Sequence, residues 1–312
     1  MSKIQMNNKV SEKNIEDAFE EFMKFNKAKR LAQSSMEYYE RKIGRFICHV
    51  KIKNTCNLDE KNIIDYKIYL QEVLDNSTSI NTHLKAIRTF LYYCMRLDYM
   101  DSFKVKLITE ENKIKETYSD KELKNLLEKP KLKEVSFAEY RNWVIINWIL
   151  STGNRARTIR SVKIKDIDFE SGYITINKTK NKNQQLIPLG SILREILSEY
   201  LAYRKGDRED WLFPSIYNNK LTASSFYSAI RKYNLKRGVN KTSIHLFRHT
   251  FAKKWILNGG DMFRLQKLLG HKSLDMVKEY VSMFSEDLKE DFEQYNPLNE
   301  FNECKKTIKM ND

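Results

Sequence analysis

Three of the five histidines of this chain lie close together, in HLFRHT at 245–250 and LLGHKSLDMVKEY at 268–280. The stretch supplies His245, Arg248, His249 and His271, and then Tyr280. A phosphodiester under nucleophilic attack requires this set: donors for the extra negative charge, a proton shuttle and an attacking oxygen. The residues therefore point to breakage and rejoining of nucleic acid strands through a tyrosine, on condition that they converge in space.

Bulk composition agrees with a phosphate-rich partner. The 312 residues hold 56 Lys+Arg against 41 Asp+Glu, a formal charge of +15. Such a surface gains affinity by releasing counterions from a polyanion, which puts nucleic acid ahead of a membrane surface. No apolar run is long enough to span a bilayer, and the start MSKIQMNNKVSEK has no apolar signal-peptide core. Cys48, Cys56, Cys94 and Cys304 are scattered without a CxxC pair, so no zinc site or disulfide framework is expected. The expected location is the cytoplasm. With no Walker-type phosphate loop, ATP is not an expected cofactor.

The elements that must position these groups can be read from periodicity. The length favours two domains. Ile15, Ala18, Phe19, Phe22 and Met23 recur at helical spacing. Ser34 with Glu37 has the capping-box pattern and predicts the start of a second helix. A third spans about 62–74, and a fourth about 79–97, with Ile80, Leu84, Ile87 and Leu91 inward and Lys85, Arg88 and Arg96 outward. Residues 106–118 are charged and aperiodic, as a linker would be. Ser119 with Glu122 opens a further helix, and an apolar helix over 137–151 stops at Gly153. The period then changes: YIT I at 173–176 and QLI at 185–187 favour two strands of a hairpin with a basic tip, and 166–169 adds a third strand. Helices return from Leu189 onward.

Taken in order, STGNRARTI at 151–159, the lysine in NKTKNKNQQLIPL at 177–189, HLFRHT and LLGHKSLDMVKEY resemble the tyrosine recombinase (phage integrase) family. The resemblance covers about 14–296. It implies a mainly α fold with a small β-sheet: a helical, SAM-like core-binding domain at 1–105, the linker, a mixed α/β catalytic domain at 119–284, and a C-terminal segment at 285–312. It further implies a site-specific recombinase that works through a 3′-phosphotyrosine intermediate without metal or nucleotide. Arg155 and Arg248 match the two catalytic arginines. Lys180 matches the hairpin lysine, the general acid for the leaving 5′ oxygen, with Lys178 and Lys182 as rivals should the strand register slip. His245 and His271 match the two histidine positions, and Tyr280, one of 17 tyrosines, matches the nucleophile. His249 matches no catalytic position. Lys178 and Lys182, with Lys85, Arg88 and Arg96, are the candidate DNA contacts.

The implied partners are double-stranded DNA with specific recombination sites and three further copies of the chain in a tetramer. An accessory DNA-bending or directionality factor is compatible with this. Leu288 and Phe292 give the segment 285–301 a short apolar face, suited to docking on a neighbouring copy or on its own domain. The build is similar to Xer resolvases and mobile-element integrases. Thr158 stands where the family usually has an acidic residue, Asn154 where an apolar residue is usual, and Phe247 where leucine is common. Two other classes stay open: a non-catalytic DNA-binding protein on the same fold, and a type IB topoisomerase-like relaxing enzyme. A metal-dependent nuclease would need a carboxylate–histidine cluster that the sequence lacks.

Overall fold

The computed structural model describes residues 12–110, 116–177, 184–271 and 273–274. The chain forms two compact units, Met1–Lys113 and Ile114–Asp312. Mainly α with one small sheet is the observed class. No helix among the described residues is long and apolar enough to cross a membrane.

Among its described residues the first unit holds four α-helices, α1 (Ile15–Ala28), α2 (Gln33–Val50), α3 (Glu60–Val73) and α4 (Ser77–Arg96). Helix α4 packs against the other three. It is buried along most of its length, through Ile80, Leu84, Ile87, Phe90, Leu91 and Cys94. Phe22, Phe46 and Tyr66 fill the space around it. Asn14, Asp59 and Asn76 accept backbone N–H groups at the starts of α1, α3 and α4, satisfying donors that a helix leaves unpaired.

Helix α2 departs from expectation. It begins at Gln33, with Ala32 at the cap position and no side-chain cap bond, so Ser34 and Glu37 do not form a capping box. Glu37 instead accepts from Gln33 Nε2 at 3.3 Å, a same-face pair within the helix. The exit of the unit is also more ordered than its composition suggests. Val105 is buried, and Asn81 on α4 both accepts from Ile108 N at 2.9 Å and donates to Ile108 O at 2.7 Å.

In the second unit, Ser119 and Glu122 form the expected capping box on α5 (Asp120–Leu127). Helix α6 (Phe137–Thr152) is apolar nearly all round and lies inside the core, with Trp143, Val144, Ile145, Ile146, Trp148 and Ile149 buried. A short α7 (Ala156–Ile159) follows. Three antiparallel strands then form a sheet, β1 (Ile167–Asp168), β2 (Tyr173–Ile176) and β3 (Gln185–Pro188), in that order. The register pairs Ile174 with Ile187 and Ile176 with Gln185. Ile174, Ile176 and Ile187 face the core while Tyr173 and Leu186 face outward, the alternation a half-buried sheet requires. Helices α8 (Ser191–Arg204), α9 (Ala223–Lys236), α10 (Ile244–Leu257) and α11 (Met262–Leu269) follow among the described residues. Helix α6 packs against α5, α8, α9 and α10.

Candidate active site

Helix α6 ends because Gly153 takes a left-handed conformation, φ +61°. The turn is tight: a Cβ at Gly153 would lie 2.5 Å from Phe251 Cδ1 and 2.7 Å from Leu269 Cδ2. Asn154 next turns inward, 4% exposed, where its Oδ1 accepts from the buried Trp148 indole at 3.0 Å. That explains the polar residue at a usually apolar position: it satisfies an indole N–H that would otherwise be buried without a partner. Arg155, at the cap position of α7, then emerges exposed to solvent.

Arg248 reaches the same place from α10. Its helix buries the stripe Ile244, Phe247, Arg248, Phe251 and Ala252, so the guanidinium is held inside the unit, 5% exposed. Nη1 donates to Gly153 O at 2.6 Å, and Nη2 donates to Leu269 O at 2.7 Å. Nη2 also lies 2.7 Å from His271 Nε2. A guanidinium only donates, so this His271 nitrogen is the acceptor and the ring's proton belongs on Nδ1. Arg155 Nη1 donates to Leu269 O as well, at 3.3 Å. Arg155, Arg248 and His271, drawn from three separate segments, thus meet at the carbonyl end of α11.

His245 lies one turn before Arg248 on α10, at i,i+3, and is exposed. Partial desolvation of the ring lowers its pKa below the usual histidine value, and the Arg248 and Arg155 guanidiniums push it further down. At neutral pH the ring is therefore uncharged and able to accept a proton. Phe247, buried, packs against Tyr118 with ring centroids 4.2 Å apart and the rings tilted by 30°. Thr158, half-buried on α7, brings no charge, and Arg155 donates to a carbonyl, Leu269 O.

Lys180, its rivals Lys178 and Lys182, Tyr280 and the segment 285–301 lie outside the described residues. The base of the lysine-bearing hairpin is described. Gln184 Nε2 donates to Asn177 Oδ1 at 3.2 Å, and Asn177 Nδ2 to Asp166 Oδ1 at 2.8 Å. In the first unit Lys85 pairs with Glu110 at 3.6 Å, Arg88 is half-buried, and Arg96 lies over the Phe25 and Tyr93 rings. Among the described residues no three His, Cys, Asp or Glu side chains are gathered as metal ligands are.

Sequence reading missed two participants. One is the Leu269 carbonyl, shared by both arginines; Gly270, the left-handed cap after it, was its only legible sign. The other is Gln185, whose amide reaches the same helix end.

The sequence pattern described as the Phage integrase family matches residues 116–286, more than half of the chain. The chain belongs to the phage integrase family. Among curated relatives of this family member, the tyrosine recombinase XerD of Oceanobacillus iheyensis is 24% identical over 298 residues, covering 91% of this chain and 99% of the relative. A tyrosine recombinase of Pseudothermotoga lettingae is 26% identical over 276 residues, covering 86% and 93%. Two solved structures share the fold of this integrase-family chain. The Tn1549 transposon integrase in complex with transposon right end DNA superposes with a TM-score of 0.73 at 15% identity, covering 90% of this chain and 99% of that one. The XerH site-specific recombinase bound to palindromic difH substrate gives 0.70 at 22% identity, covering 88% and 83%.

Proposed function

We propose that this chain is a site-specific tyrosine recombinase that cleaves and rejoins double-stranded DNA. The observation that carries this reading is the convergence of Arg155, Arg248 and His271 on one helix end, with His245 one turn away. Two guanidiniums grip a scissile phosphate by charge-assisted bonds and offset the charge of its pentavalent transition state. Preorganised donors of this kind contribute about 3–4 kcal/mol each. The Tyr280 phenolic oxygen attacks phosphorus, a 3′-phosphotyrosine bond forms, and the 5′ oxygen leaves with a proton from Lys180. His245, neutral at working pH, is suited to accept the phenol proton. Attack by the free 5′-hydroxyl on the phosphotyrosine reverses the step, so the phosphodiester is conserved and no high-energy cofactor is consumed.

Strand exchange between two sites calls for four copies of the chain on DNA. A groove of about 780 Å3 beside α5 and α10, whose lining includes Leu123, Leu127, Leu150, Phe251 and Trp255, is suited to the apolar residues Leu288 and Phe292 of the segment 285–301, from a neighbouring copy or from the same chain. The expected location is the cytoplasm, where the DNA is. Thr158 is the feature that favours a second reading, DNA binding without cleavage.

Covalent trapping on DNA fragments nicked near the cleavage position, in chelator, tests the reaction. The native chain is expected to give a protein–DNA adduct on a denaturing gel and Tyr280→Phe to give none. Tight DNA binding without an adduct from the native chain would favour the second reading. An adduct that survives Tyr280→Phe would assign the attack to another tyrosine. Efficient relaxation of a supercoiled plasmid without paired sites would instead mark a topoisomerase-like enzyme.

A further inference from the structure

Helix α11 ends at Leu269, and its last carbonyls have no partners within the helix. The Gly270 and His271 amides return to Lys267 O and Gln266 O, each at 3.0 Å. The other donors come from far away in sequence. Arg155 and Arg248 both take Leu269 O. Gln185, the first residue of β3, takes the two carbonyls before it: its Nε2 lies 2.6 Å from Lys267 O and 2.9 Å from Leu268 O. Its Oε1 lies close over Gly270, 3.4 Å from where a Cβ would be, and the same Cβ position is 3.8 Å from Arg155 Nη1.

We infer that Gln185 is a positioning residue for DNA cleavage, acting through the carbonyl end of α11. This inference rests on the recombinase reading above. One amide fixes two consecutive carbonyls, and thereby the direction of the third, to which both arginines are bonded. It also fixes the turn at Gly270 that delivers His271 to Arg248. Without the amide, Lys267 O keeps the Gly270 N–H but Leu268 O loses its side-chain donor, so the last turn of α11 is held less firmly just where both guanidiniums are anchored. Gln185 touches no reacting atom, and DNA affinity, spread over many phosphate contacts, is insensitive to it. Phosphate activation is not: a misplacement of about 1 Å at a reacting centre costs on the order of a hundredfold in rate.

Single-turnover cleavage of prebound, nicked DNA by the native chain, Gln185→Leu and Gln185→Glu tests this. In these experiments amplitude reports the folded fraction and the rate constant reports site geometry. Both variants are expected to bind DNA with native affinity and cleave about 10- to 100-fold more slowly, with Gln185→Glu the slower because a carboxylate repels the two carbonyls. Reduced amplitude at a native rate constant would show a role in folding alone and overturn the inference. So would native rates throughout. A second substrate with sulfur at the bridging 5′ position separates the routes, since a thiolate leaves without needing a proton. Gln185→Leu should remain slow on it, because the arginines act on the nonbridging oxygens. Recovery to the native rate would place the effect on leaving-group protonation and overturn the route through α11. If the native chain forms no adduct on either substrate, the recombinase reading fails and takes this inference with it. A native adduct with an unaffected variant removes this inference alone.

Discussion

At the scale of single residues, the site is built from groups whose roles follow from what they touch. Arg248 is buried with Gly153 O, Leu269 O and His271 Nε2 accepting hydrogen bonds from its guanidinium. A lysine could not replace it, since a point-like ammonium lacks the planar fork that spans these acceptors. Gly153 is as constrained as the arginine it serves. Its left-handed φ and its closeness to Phe251 leave no room for a side chain. Gly153→Ala should therefore destabilise the protein by about 2–4 kcal/mol, combining backbone strain with overpacking. Urea denaturation would measure this. A loss under about 1 kcal/mol would show that Phe251 and Leu269 move aside cheaply.

At the scale of elements, helix crossings in the first unit contain one costly polar pair. His83 on α4 is 2% exposed, and its Nε2 lies 2.6 Å from Lys42 Nζ on α2. Burial first, and the neighbouring Lys42, Arg45 and Arg41 charges second, push its pKa down from 6.5 to about 4. The unfolded chain therefore takes up this proton first as pH falls. The stability contributed by the neutral ring is complete above about pH 6.5 and is lost progressively from there toward about pH 4. The loss between pH 7 and pH 5 should be on the order of 2 kcal/mol. Urea midpoints at the two pH values would show it, and His83→Asn should flatten the difference. An equally steep profile in the variant would mean that other groups govern acid sensitivity. In the second unit the corresponding anchor is the end of α11, which joins α7, β3 and α10 through their side chains.

For the whole molecule, a charge of +15 makes DNA affinity steeply dependent on salt. Each phosphate contact contributes about 0.9 to the slope of log affinity against log salt. If Lys85 and Arg88 touch phosphates, Lys85→Ala and Arg88→Ala should each reduce the slope by about that amount, with little change in preference among sequences. Lys85 is the weaker candidate, since it already pairs with Glu110 across 3.6 Å. An unchanged slope in both variants would move the DNA contact to another face.

The sequence by itself determined the local features and the family. The Ser119–Glu122 box, the stop at Gly153, the hairpin flanking 178–183 and the order of the four motifs were legible because caps, turns and periodicities depend on near neighbours. The same rule over-read Ser34 and Glu37: the pattern is present, but the chain enters α2 earlier and Glu37 takes Gln33 as its partner. Asn154 was legible only as a departure from a family pattern, because its partner Trp148 is identified by packing. What only the tertiary structure decided is the anchoring of the site. The bonds from Arg155, Gln185 and Arg248 to the end of α11 run to backbone carbonyls, and two of them cross more than 80 residues of chain. Every residue carries such a carbonyl, so no residue type marks those that are used; only the folded geometry selects them.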